Sequence, residues 1–157
     1  MMKINRVKVG GEMKITALTE VTNEVVSAFE RLIPQLNLHC PPPPFEVLVS
    51  LLSSEGIVVF LAWDGPGESE IIGTATLVIY ETPTGLHGWV EDVVVDRFER
   101  GKGAGRALTN ACLEKASSLG LREVNLTSRS EREAANRLYQ AMGFERRETN
   151  VYRYQIK

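Results

Sequence analysis

Apolar residues along this chain follow helical periods in some stretches and strand periods in others. From Thr22 the positions Val25, Ala28, Phe29, Leu32 and Ile33 recur at helical spacing, and Pro34 is expected to end that helix. Phe45, Leu48, Val49 and Leu52 form a second helical stripe, opened by the stiff block Pro41 to Pro44. Strands are expected at 14–19, Ile57 to Trp63, Ile71 to Tyr80 and Leu86 to Val95. Turns at Asp64-Gly65-Pro66-Gly67 and Thr82-Pro83-Thr84-Gly85 punctuate them. From Ala104 a helix buries Ala107, Leu108, Ala111, Cys112, Ala116 and Leu119. A strand at Glu123 to Thr127 follows, then a helix from Glu131 to Met142 and strands at Phe144–Glu148 and Val151–Gln155. The predicted order is therefore β-α-α-β-β-β-α-β-α-β-β.

Residues 13–157 are expected to form a single domain, large enough to bury a core without disulfides or metal. A formal net charge of −2 argues against broad nucleic-acid or membrane-surface binding. No apolar run reaches spanning length, and the start lacks a signal-peptide core. Two cysteines and two histidines are too few for a disulfide framework or a typical metal cluster, so no metal and a cytoplasmic setting are expected. Residues 1–12 carry little pattern. Gly10-Gly11-Glu12-Met13 resembles a translated ribosome-binding site, so Met13 is the expected native start.

The most informative stretch is Val93 to Leu108. A β-branched run leads into a glycine-rich basic turn, and a helix begins inside that turn. Such a junction aims unpaired backbone N–H groups and a helix dipole at one spot, a site suited to a pyrophosphate. Arg100, Lys102 and Arg106 add positive charge. Gly101, Gly103 and Gly105 do not fit G-x-G-x-x-G, because the third position falls on Arg106. The P-loop pattern also fails, since Gly103 follows Lys102.

What remains, Arg100-x-x-Gly103-x-Gly105, resembles the coenzyme A loop of the GNAT superfamily of acyl-CoA-dependent N-acyltransferases, (Gln/Arg)-x-x-Gly-x-(Gly/Ala). A second patch, Arg129 to Phe144, carries Leu138-Tyr139 and ends at Gly143-Phe144, which is similar to the last helix of the same superfamily. The two patches cover residues 89–155; the first 85 residues agree only in their order of elements. The resemblance implies a mixed central sheet of about seven strands with helices on both faces, and acetyl-CoA as acyl donor. It places Val93, Val94 and Val95 along the pantetheine arm and Arg100, Gly101, Lys102, Gly103, Ala104, Gly105 and Arg106 around the diphosphate. The family's cofactor-contacting Asn, seven places before the helix tyrosine, is Arg132 here. Asn136, one turn later, is its candidate replacement.

Acyl transfer to an amine also needs a neutral nucleophile. An amine of pKa ~10.4 is deprotonated in about one molecule in ~2,500 at pH 7. Glu91 and Asp92, just ahead of the valine run, are the candidate bases, acting directly or through water, and strand alternation is expected to send them to opposite faces. Glu91 is favoured. A backbone N–H of Val93–Val95 can meet the oxyanion, and the resemblance gives Tyr139 the departing sulfur. Cys112 lies on an apolar helix face and Cys40 beside His39, so direct attack in a ternary complex is expected rather than an acyl-cysteine.

The acceptor stays open between a small-molecule amine (amino sugar, polyamine or amino-acid-like) and a protein amine. Gly88-x-x-Glu91-Asp92 looks like the matching strand of glucosamine-6-phosphate N-acetyltransferases, with Arg129, Arg132, Arg146 and Arg147 as candidate phosphate partners. A non-catalytic acyl-CoA sensor of the same fold is the alternative. The tail Glu148 to Tyr154 is open to two readings, a strand facing a homodimer partner or a cover for the acceptor pocket.

Overall fold

The computed structural model describes residues 13–65 and 70–157. Its elements are β1 (Lys14–Ala17), α1 (Asn23–Leu36), α2 (Phe45–Leu52), β2 (Ile57–Trp63), β3 (Ile71–Thr82), β4 (Gly85–Val95), α3 (Ala104–Ser118), β5 (Val124–Asn125) and α4 (Glu133–Ala141). The described residues fall into two compact units that divide between Leu126 and Thr127. The proposed start at Met13 turns on residues 1–12, and part of the 64–67 turn is Pro66 and Gly67; both stretches lie outside the described residues.

The first unit is built on one sheet of order β1-β2-β3-β4-β5. β1 to β4 pair antiparallel, and β5 joins β4 in parallel after the α3 crossover. β2 shows why its apolar run is unbroken, since it is covered on both sides. Val59, Leu61 and Trp63 pack toward α1 and α2, whereas Phe60 and Ala62 pack toward α3. The Thr22 hydroxyl caps α1 by accepting from the Val25 N–H at 3.3 Å.

Several expectations are corrected. α1 runs through Pro34 to Leu36. Proline in that last turn removes one donor but leaves the next bond, Asn37 N–H to the Ile33 carbonyl at 3.1 Å, intact. β5 is reduced to a two-residue ladder against Gly88 and Trp89.

In the second unit, no strand forms over residues 144–157, so the described residues hold five strands, not seven. Tyr152, Tyr154 and Ile156 do alternate with polar residues, but alternation only assigns faces. A strand exists through its ladder bonds, and here these side chains are exposed.

Candidate active site

Near its end β4 departs from regular pleating. Gly73 pairs with Val95 and Thr74 with Val94, but Thr76 pairs with Glu91, so Asp92 and Val93 together oppose the single residue Ala75. This is a β-bulge. Asp92 takes φ 51°, the one positive φ at a non-glycine position among the described residues, in a region where aspartate is tolerated better than branched residues.

The bulge overturns the expectation that Glu91 and Asp92 face opposite ways. Val90 and Val93 pack on the α3 side and Val94 on the α1/α2 side. Asp92 lines a cavity on the α1/α2 side together with Thr74 and Thr76. Glu91 is the cross-strand partner of Thr76 and so shares that face. One extra residue has put two carboxylates on one surface.

Electrostatics registers the pairing. Partial burial raises the Glu91 carboxyl above the ordinary glutamate value, and the neighbouring Asp92 charge raises it further. The Trp89 indole Nε1 is buried without a hydrogen bond of good geometry, yet lies close enough to draw Glu91 part of the way back. Glu91 is thereby moved toward the range of a general base.

The cavity measures about 210 Å³. Phe29 and Ile33 of α1, Val47 and Leu51 of α2, and Cys40, Pro41 and Pro43 from the intervening segment form its walls. The sequence stripe through α2 was read one position away from this. Leu48 is buried, but Phe45 and Val49 are 47% and 38% exposed, and it is Val47, itself 44% exposed, and Leu51 that line the cavity. Thr74 and Thr76 were not singled out from sequence, although two threonines at strand spacing within an apolar run were a readable signal.

Beyond β4 the chain turns through residues 96–103 into α3. The N–H groups of Ala104, Gly105 and Arg106 precede the first intrahelical bond, which runs from Ala107 N–H to the Gly103 carbonyl at 3.0 Å. No side chain caps this end and no acidic residue sits in the first turn. It is a helix mouth suited to an anion. Gly101 and Gly103 have φ 79° and 91°, and a Cβ on either would meet nothing within 4 Å. Backbone conformation, not crowding from the protein, is what favours glycine there.

The basic residues are not all at liberty. Lys102 Nζ pairs with Glu99 at 2.7 Å, and Arg100 Nε donates to the Val95 carbonyl at 3.1 Å. Arg106 is exposed. Sequence reading missed the residues that hold the turn. Arg31 Nε donates to Asp96 Oδ2 at 2.8 Å, and Arg31 Nη2 donates to the Ile71 carbonyl. Gln35 Oε1 accepts from the Arg97 N–H at 2.8 Å. Asp96 is buried, and its Oδ1 accepts from the Phe98 N–H. Two side chains one helical turn apart on α1 therefore pin the start of the glycine loop.

The second unit carries the remaining candidates. On α4, Tyr139 sets its ring edge against Phe144, with centroids 5.7 Å apart, and the Phe144 N–H returns to the Tyr139 carbonyl at 3.0 Å across Gly143. Asn136 Nδ2 donates to the Arg129 carbonyl at 2.9 Å, so this amide braces the start of its own helix. Among the described residues no group of three or more His, Cys, Asp or Glu is arranged to hold a metal ion, and no helix is long and apolar enough to cross a membrane.

Comparison with known proteins matches the model of the acetyltransferase (GNAT) family over residues 21–144. A mycothiol acetyltransferase of Amycolatopsis mediterranei (strain U-32) is 38% identical over 87 residues, covering 52% of this chain. The match takes in 29% of that relative, so the chain corresponds to under a third of its length. Among solved structures, an acetyltransferase of Trypanosoma brucei superposes with TM-score 0.73 at 26% identity, over 92% of this chain and 100% of the other. A glucosamine-6-phosphate N-acetyltransferase from Arabidopsis thaliana gives TM-score 0.75 at 22% identity, over 91% and 98%, a likeness of fold.

Proposed function

This chain belongs to the GNAT acetyltransferase family, and from that premise we propose that it moves an acetyl group from acetyl-CoA to a primary amine within a ternary complex. The observation that carries the reading is the run from the β4 bulge to the α3 mouth, which joins two carboxylates on one sheet face, Asp92 lining a cavity and Glu91 opposite Thr76, to an uncapped helix terminus. The chain's residues suit the donor. The helix-mouth amides and Arg106 take the diphosphate, and the backbone of Val93–Val95 takes the pantetheine arm. Each exposed helix-terminus interaction is worth roughly 0.3–1 kcal/mol, so several must act together.

The acceptor ammonium is held at the Asp92 side of the cavity and loses its proton to Glu91, directly or through water. The amine nitrogen attacks the thioester carbonyl carbon, and a Val93–Val95 amide steadies the oxyanion. The tetrahedral adduct then collapses, restoring the carbonyl and breaking the C–S bond. Tyr139 supplies a proton to the departing sulfur, the second proton shed by the nitrogen restores the Tyr139 hydroxyl, and the proton first taken by Glu91 is the one released overall. Tyr139 holds this role on the family resemblance alone.

Thiol release from acetyl-CoA across an amine panel tests the proposal. Activity with at least one amine is expected. Tyr139→Phe should lower turnover by about 10²-fold, the low end for a lost general acid, with little change in acetyl-CoA affinity, and unaltered turnover would remove Tyr139 from the mechanism. Thermal stabilisation by acetyl-CoA without thiol release on any amine would instead identify a sensor.

A further inference from the structure

The cavity is unlike a sugar site. Its walls are the aliphatic and aromatic side chains of Phe29, Ile33, Val47 and Leu51, and none of the residues lining it is basic. The Thr74 hydroxyl already donates to the Phe60 carbonyl at 2.9 Å. The side-chain polar groups left to address a ligand are the Asp92 carboxylate, the Thr76 hydroxyl, the Cys40 thiol and the acceptor capacity of Thr74.

A hexosamine brings several hydroxyls, and each loses water on entry and must find a partner. This lining supplies few of them, because most of its residues are aliphatic, aromatic or proline. An acceptor carrying a phosphate or carboxylate would in addition meet Asp92 with no cation among the lining residues to offset it.

We infer that the cavity binds a singly charged primary amine carried on a compact apolar body, such as an arylethylamine or a short branched alkylamine, with the ammonium at Asp92 and the body among the α1 and α2 side chains. Size agrees. A cavity of ~150 Å³ accommodates benzene, and about 210 Å³ leaves room for a short arm. The inference rests on the proposed acetyl transfer only in calling this ligand the acceptor.

The test pairs turnover with a binding readout. Thiol release is measured for phenethylamine, 3-methylbutylamine, glucosamine and glucosamine 6-phosphate. In parallel, alkylation of Cys40 by iodoacetamide is followed by mass spectrometry with and without phenethylamine. Cys40 is exposed and lines the cavity. Cys112 is buried with its thiol pushed up to about 12, and so stays silent.

Phenethylamine should exceed glucosamine at least tenfold in kcat/KM and should slow Cys40 alkylation. Val47→Lys, at an exposed wall position, should remove most of both effects while leaving stabilisation by acetyl-CoA intact. Protection of Cys40 without turnover of any amine would uphold the cavity's ligand class and sink acetyl transfer. Faster turnover of glucosamine or its phosphate would overturn the ligand class and leave acetyl transfer standing. Absence of both turnover and protection would also overturn it.

Discussion

On the α3 side of the sheet, Leu77, Leu108 and Cys112 are wholly buried, and the small residues Ala75, Ala104 and Ala116 let the helix lie close. On the α1/α2 side, Leu32 and Leu48 are equally buried, but the chain leaves a cavity beside them floored by Thr74, Thr76 and Asp92. One face is closely packed around Leu77, Leu108 and Cys112. The other is packed around a gap, and the gap coincides with the β4 bulge. A residue held in the left-handed region costs on the order of 1–3 kcal/mol, with aspartate toward the low end. In the proposed mechanism the two faces thus divide stability from chemistry within a single strand pair.

The largest expected effect probes the chemical face. Glu91→Gln should lower turnover by about 10²- to 10⁴-fold, the usual range for a lost general base. In the wild type, activity should rise with pH through a Glu91 titration displaced above the ordinary glutamate value of 4.5. Stability runs the opposite way. A carboxyl whose pKa is raised by folding binds protons more tightly in the native state, so it disfavours folding once pH climbs past the unfolded value. Glu91→Gln should therefore raise the melting midpoint slightly at pH 7 and leave it unchanged below about pH 4. A pH–rate profile with an acid limb at or below 4.5 would exclude Glu91 as the base.

Next comes the packed face. Leu108→Ala removes a side chain with no exposed surface and should cost about 2–5 kcal/mol in urea unfolding. A smaller cost would mean that α3 can settle onto Gly73. A Cβ at Gly73 would already lie 3.1 Å from Leu108 Cδ1 and 2.9 Å from the Val94 carbonyl oxygen, so there is little slack.

How much of this was readable follows from which contacts are local. The β2 run, the α3 stripe and the glycine loop are set by neighbours in sequence, and Ile57–Trp63 and the start at Ala104 came out as expected. The bulge was not readable, because it is a property of register between β3 and β4. Reading Glu91-Asp92 on regular alternation sent one carboxylate the wrong way. Arg31 and Asp96 lie 65 positions apart, so no local pattern joins them. The C-terminal strands failed for a related reason: Tyr152, Tyr154 and Ile156 have the right period, but pairing is decided elsewhere.

The Arg31–Asp96 pair links the two faces, since α1 walls the cavity and also braces the loop. Arg31→Met leaves Asp96 buried without its cation. Arg31 is itself 38% exposed and also meets Glu70, so water screens part of the loss and about 1–3 kcal/mol is expected. If the brace sets the loop, KM for acetyl-CoA should rise severalfold while kcat changes less. An equal fall in kcat with unchanged KM would confine Arg31 to stability.

The smallest effect is expected at the cavity wall. Leu51 is half-buried and already borders open space. Trimming it with Leu51→Ala enlarges an existing void instead of creating one, so fewer packing contacts are lost than at Leu108. About 1 kcal/mol or less is anticipated, alongside a several-fold rise in KM for an apolar amine. Urea midpoints for Leu108→Ala and Leu51→Ala, measured side by side, give the comparison directly. Equal losses would mean that α2 closes on the sheet in solution and that the face around Asp92 is as fully packed as the face beneath α3.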